Sequence, residues 1–235
     1  MQQPQKPNES FLNMLNLPDN QRISRIVVAL RKAAKKFDDP SVTMVSKRWH
    51  DPFRVLISCM LSQRTKDTTT IPASERLFAL ANRPQDFLTL SARKIEKVIF
   101  PVGFYRTKAK SIKSVCKVLV NKFRSKVPGD IDTLLTLQGV GRKTANLVLT
   151  EGFGKLGICV DTHVHRISNR LGYVKTKTPE ETEMALRKKL PKCFWIEYNA
   201  LLVVWGQNIC KPISPMCSQC CILKWCPQEG VSAKR

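Results

Sequence analysis

The sequence is short of acid. Eighteen Asp and Glu stand against forty Lys and Arg in 235 residues, a formal net charge of +22. A surface with that balance attracts polyanions, and nucleic acid fits better than a solubility coat or a membrane-surface patch. No apolar run approaches the roughly 18 residues of a bilayer-spanning helix, so no membrane partner is expected. The opening stretch, MQQPQKPNES, lacks the apolar core of a secretory signal. It reads as a disordered, basic to polar tail over residues 1–20, and the expected location is cytoplasmic, on the nucleoid. Alternating strand patterns are nearly absent, and there is no internal repeat or long low-complexity linker. The cysteines do not form a closed disulfide framework either, because nine is an odd count; a reducing compartment suits them.

What is present is helical periodicity. It predicts helices over 22–37, 51–63, 73–81, 91–99, 107–124, 130–136, 142–151, 161–171, 179–189 and 194–205, an all-α fold. Asp51 is placed to cap the second of these, with Pro52 at its first position. From Arg106 to Lys126 there are eight basic residues and no acidic one. Arg106, Lys110, Lys113 and Lys117 share one face, expected to be wet, while Ile112, Cys116, Leu119 and Phe123 form an apolar stripe. Cys59, Cys116, Cys159 and Cys193 sit in apolar segments and read as small buried hydrophobes.

The stretch LQGVGRKTANLVL, 137–149, breaks a helical pattern with two glycines and places two cations after the break. Segment 130–151 therefore reads as helix, tight turn, helix. A helix N-terminus behind a glycine turn favours an anion, and in a chain of this charge the anion is a DNA phosphate, held without reading sequence. The turn residues Gln138, Gly139, Val140, Gly141 and Arg142 are the candidates for that contact. Lys143, in the first turn of the second helix, is either one more phosphate contact or a nucleophile. An amine attacks carbon only when neutral, a form that desolvation or nearby positive charge favours. Asp161 opens another helix in VDTHVHR, where capping is the plain reading.

Near the end, Cys210, Cys217, Cys220 and Cys226 are spaced C-x6-C-x2-C-x5-C, with Cys221 spare. Four thiolates can hold a [4Fe–4S] cluster or a structural zinc. Zinc modules tend to show two short C-x2-C knuckles, and only one short pair exists here.

Taken together, L-x-G-V-G-x-K-T-A at Leu137–Ala145, V-D-T-H-V-x-R at Val160–Arg166 and the cysteine spacing resemble the endonuclease III family of DNA glycosylases, over roughly residues 25–227. The resemblance implies two helical domains with a DNA-binding cleft between them. One is a six-helix barrel over 45–155 carrying the helix-hairpin-helix of 130–151; the other is a cluster domain from 21–44 plus 156–235. It implies a [4Fe–4S] cluster on Cys210, Cys217, Cys220 and Cys226. It implies a bifunctional glycosylase and AP lyase, with Lys143 as the Schiff-base nucleophile and Asp161 as the catalytic carboxylate, acting on oxidised or ring-saturated pyrimidines in base excision repair. The partner is duplex DNA with damaged bases or abasic sites, bound by a monomer. Phe104, in GFYRT, matches the family's apolar wedge. In LSQRTKD the family's usual glutamine position holds Arg64, with a glutamine one place earlier at Gln63, so either could fill the gap behind a flipped base. Gln138 stands where the hairpin commonly has proline, and Lys211 is the lone cation between Cys210 and Cys217. Two other readings remain: a mismatch or adenine glycosylase of the same superfamily, and a non-catalytic hairpin DNA-binding protein with a structural metal.

Overall fold

The computed structural model describes residues 17–235, so most of the expected tail lies outside the described residues. α1 (Asp19–Ala34) takes in the last two residues of that stretch. Asp19 favours that start from the first turn, near the positive end of the helix. Ile23, Ile26, Val27 and Leu30 form a buried stripe at helical spacing.

From Asp39 to Cys159 the chain folds into one unit. Its helices are α2 (Ser41–Trp49), α3 (Pro52–Ser62), α4 (Asp67–Leu80), α5 (Pro84–Thr89), α6 (Ala92–Ile99), α7 (Tyr105–Phe123), α8 (Ile131–Leu135) and α9 (Arg142–Leu147), the last continuing as a π turn through Gly152. The entry to α3 is the expected one: Asp51 accepts from Phe53 N at 2.9 Å, and Pro52 occupies the first turn. α3 is the central element. Val55, Leu56, Ile57 and Leu61 are fully buried, and α2, α4, α7, α9 and the π turn pack against it. A helix buried nearly all round has lost its polar face, which marks it as core.

Two helices, α2 and α5, lie outside the periodic segments read from the sequence, and α4 runs back through Pro72 to Asp67 rather than starting at 73. The expected division of the chain was at 45 and 155; the two units divide after Asp38 and after Cys159.

The other unit joins the described residues up to Asp38 to Val160–Arg235. It contains α10 (Thr162–Arg170), α11 (Pro179–Lys189) and α12 (Trp195–Asn208). α12 packs against α1 and α10. After Asn208 only two short 3-10 turns interrupt an irregular chain. No strand occurs among the described residues, so the all-α reading stands.

Candidate nucleic-acid interface and catalytic residues

The hairpin is fastened from beneath. Leu137 and Val140 are buried, while Gln138, Gly139, Gly141 and Lys143 are exposed and Arg142 is half-buried. Burying a Leu or Val side chain contributes about 1.5–3 kcal/mol, enough to hold a short turn against the core. The two glycines differ in use. Gly139 has φ +80°, a conformation that side chains other than glycine rarely take. Gly141 is extended, and a Cβ there would meet nothing within 4 Å. Its value is the open approach it leaves at the head of α9, where the first N–H groups of a helix have no intrahelical acceptor.

Lys143 is the second residue of α9 and is exposed. Its carbonyl accepts from Cys159 Sγ at 3.5 Å. Its ammonium is close enough to the buried Cys59 thiol to oppose part of the burial that pushes that thiol up to about 12.

Two loops of the same unit stand beside the turn. Gln63 ends α3, and its Nε2 donates to Gly139 O at 2.9 Å and to Thr144 Oγ1 at 3.3 Å. Gln63 is thus tied to the hairpin. Arg64 is exposed with φ +51°, and Phe104 is 62% exposed with φ +57°. The Arg64 guanidinium lies 5.7 Å from the centre of the Phe104 ring. Met60, Gln63, Arg64, Phe104, Lys108 and Gly139 border one open groove of roughly 290 Å³. The structure therefore groups Gln63, Arg64, Phe104 and the hairpin turn on one face of this unit.

The basic stripe of α7 is corrected at one position. Arg106, Lys110 and Lys117 are exposed as expected. Lys113 turns inward and donates to Leu90 O, and to Leu88 O at 3.3 Å, at the carbonyl end of α5. Helix carbonyl ends carry partial negative charge, and a lysine one turn from its wet neighbours can reach them. Lys108 goes further inward, at 7% exposure. Sequence reasoning passed over it because it sits among exposed cations of identical composition.

In the second unit Asp161 caps α10. Its Oδ1 accepts from His163 N and Val164 N, both at 2.9 Å. The side chain is therefore fixed in direction, and the cap leaves Oδ2 uncommitted to these two bonds. On the same helix, Arg166 donates to Cys210 O at 2.8 Å and Gly206 O at 3.2 Å. Arg170, one turn on, donates to Lys211 O and Pro212 O at 2.7 Å and approaches Cys210 Sγ at 3.4 Å. From the sequence Arg166 was marked only as the end of the V-D-T-H-V-x-R motif, with no role, and Arg170 was not singled out; their four-residue spacing on the Asp161 helix was the available signal. Lys211 is half-buried, and beside it Ile213 is 86% exposed.

Cys210, Cys217, Cys220 and Cys226 line one pocket with Arg170 and Trp205. Cys221 is exposed and does not line it. Burial raises the thiols of Cys217, Cys220 and Cys226, the last to about 12. The Trp205 indole N–H is buried without a conventional hydrogen-bond partner, and it favours the Cys220 thiolate. Among the described residues no three His, Cys, Asp or Glu side chains close on a single ion. The four thiols face shared space instead, as soft donors suited to iron or zinc. Of the four cysteines expected to be buried, Cys59, Cys116 and Cys159 are; Cys193 is exposed, because it falls in a 3-10 turn between α11 and α12 rather than on an apolar stripe.

Residues 57–192 match the HhH-GPD superfamily of base excision DNA repair proteins. The chain is 50% identical to the endonuclease III of Thermotoga maritima over 176 residues, spanning 75% of this chain and 83% of that protein. A non-covalent endonuclease III–DNA complex superimposes with a TM-score of 0.77 at 35% identity, covering 90% of this chain and 96% of the other. A trapped endonuclease III–DNA covalent intermediate, an estranged-adenine complex, gives 0.75 at 34%, covering 90% and 97%.

Proposed function

The chain belongs to the endonuclease III family of HhH-GPD base excision DNA repair proteins, and from that premise we propose that Lys143 is its Schiff-base nucleophile and Asp161 its catalytic carboxylate, in a DNA glycosylase and AP lyase that removes oxidised or ring-saturated pyrimidines from duplex DNA. The observation that carries this reading is Lys143 itself: an exposed amine in the first turn of α9, directly behind a glycine turn that leaves open room for a phosphate backbone. The solved covalent intermediate of an endonuclease III supports it.

The chemistry follows from these groups. The Lys143 amine attacks C1′ of the deoxyribose, and the bond to the damaged base breaks with its electrons leaving on the base. The C1′–O4′ bond then opens, O4′ taking a proton, and leaves an iminium at C1′ that acidifies C2′; loss of the C2′ proton breaks the C3′–O bond and releases the 3′ phosphate. Asp161 stabilises the positive charge that develops at the sugar and carries the proton the amine must lose. Its cap bonds hold the carboxylate in one orientation, so it does not have to be ordered during the reaction.

A base inside a duplex must be flipped out before it can react, at a cost of a few kcal/mol. Phe104 and Arg64 are the side chains placed to fill the space. The bonds of Gln63 to Gly139 O and Thr144 Oγ1 support Arg64 as the residue that meets the orphaned base. Gln138, Gly139, Val140, Gly141 and Arg142 position the phosphate backbone, and Lys211 adds a contact from the cysteine loop. Cys210, Cys217, Cys220 and Cys226 would hold a [4Fe–4S] cluster, which when bound supplies a rigid cross-link for an irregular chain. The spacing C-x6-C-x2-C-x5-C, with one short C-x2-C pair rather than two, supports a cluster over zinc. No helix of the described residues is long and apolar enough to cross a membrane, and the cytoplasm, on the nucleoid, is the proposed place of action.

The test is borohydride reduction on duplex DNA with one abasic site. The wild-type protein is expected to be captured covalently and Lys143→Ala is not; equal capture of both would remove the nucleophile assignment. Asp161→Asn is expected to bind DNA and lose base release. Iron analysis with visible absorbance separates cluster from zinc. A non-catalytic clamp would bind the same DNA without any trapped species.

A further inference from the structure

Arg64 and Phe104 come from different loops, forty residues apart in sequence, and both hold left-handed backbone that is costly for a residue other than glycine. Such conformations persist only where the surroundings enforce them. One buried residue touches both loops. Lys108 lies in the first turn of α7. Its main-chain N–H donates to Phe104 O at 3.0 Å. Its ammonium donates to Leu61 O at 2.7 Å, to Gln63 O, and to Thr65 Oγ1 at 3.1 Å. Thr65 Oγ1 also accepts from Gly103 N at 3.2 Å. A Cβ on Gly103 would come within 2.8 Å of Arg64 O, so the two loop backbones are in direct contact. Among the described residues every side-chain partner of Lys108 is a neutral oxygen, and two of them are carbonyls at the negative end of α3.

A buried ammonium without a carboxylate is costly, and a hydrophobic residue of similar length would pack there at less cost. What the ammonium alone supplies is several donors on one point, aimed at both ends of the Gln63–Thr65 turn. We propose that Lys108 is a positioning residue that clamps the Arg64 loop and the Phe104 loop into one gap-filling unit, so that both side chains enter the duplex together when the damaged nucleotide leaves it. The inference rests on the reading of Arg64 and Phe104 as gap fillers.

The experiment uses full-length protein and a duplex in which 2-aminopurine faces a tetrahydrofuran abasic analogue. Wild type is expected to change the fluorescence of this orphaned base on binding. Lys108→Met, which keeps the length and removes the donors, should lose that change while duplex affinity moves by less than about threefold. Base release from a damaged duplex should fall roughly 10- to 100-fold, the scale on which a misplaced positioning group acts. Borohydride trapping on a single-stranded abasic oligonucleotide, which needs no gap filled, should fall far less. A fluorescence response and duplex base release equal to wild type would overturn the proposal, and so would an equal fall on single and double strands, which marks general damage. If Lys108→Met fails to fold, Thr65→Val removes the oxygen shared by Lys108 and Gly103; it must show the same split, and its absence counts against the clamp. Arg64→Ala and Phe104→Ala test the underlying reading separately. If neither alters the fluorescence, the gap-filling assignment fails, whatever Lys108 does.

Discussion

The α3–α7 region and the chain after Asn208 solve one problem in two ways. Each must fix a loop that ends a helix. In the first, helices stack on all sides of α3, and single lysines, Lys108 and Lys113, turn in to close carbonyl ends. In the second there is little regular structure left to stack. There Arg166 and Arg170, with planar forks that reach several acceptors at once, hold Gly206 O, Cys210 O, Lys211 O and Pro212 O. Four cysteines line the remaining space. Where apolar packing already sets the backbone, a point charge is enough to finish a loop. Where it does not, the chain needs rigid multi-point donors and, on our reading, an inorganic cross-link.

The sharpest way to break this comparison is to remove the cross-link. Cys226→Ala, or iron removal by a chelator, should release residues 209–235 to protease while the Asp39–Cys159 unit stays resistant; equal digestion of both would mean that the tail is held by packing after all. Next in size is Arg170→Met. It removes two charge-assisted bonds to carbonyls, each class of bond worth about 1.5–3 kcal/mol, and should lower thermal stability and iron retention together. Lys108 gives a pH-dependent test. Burial pushes it down to about 8 from 10.5. Between those values the unfolded chain binds more protons than the folded one, so its contribution to stability rises with pH across that window. At about 1.36 kcal/mol per unit the ceiling is on the order of 3 kcal/mol. The gap in denaturant midpoint between wild type and Lys108→Met is expected to shift in favour of wild type from pH 8 to pH 10; no pH dependence of that gap would show that the amine is not desolvated. Smallest is Asp130→Ala. Asp130 accepts from Thr133 N at 2.8 Å at the head of α8, and loss of that cap is expected to lower the thermal midpoint slightly, with the cysteine loop unaffected.

Much of the candidate site is legible without coordinates because its signals are local. Asp51 before Pro52, Asp161 before Thr162, and two glycines before Arg142 and Lys143 each act within four residues of themselves. The helices missed were those whose reasons are not local. α5 has six residues, too few to show a period, and α2 is a nine-residue segment rich in β-branched residues, held by packing on α3. The wet face of α7 failed at Lys113 for the same reason: the carbonyls that recruit it belong to residues 23 and 25 positions away.

The amino-acid order alone settled the helical class, the cap at Asp161, the head of the Lys143 helix and the four-thiol spacing, because each depends on backbone rules and charges that act within a turn or two. Which of two adjacent polar residues is tied down and which is left outward, Gln63 or Arg64, was decided by the folded chain, as was the fate of each lysine along α7. Those outcomes depend on where unpaired carbonyls from distant segments come to lie. A cation goes to the acceptor that three-dimensional packing brings within reach, and no property of the cation itself reveals which one that is.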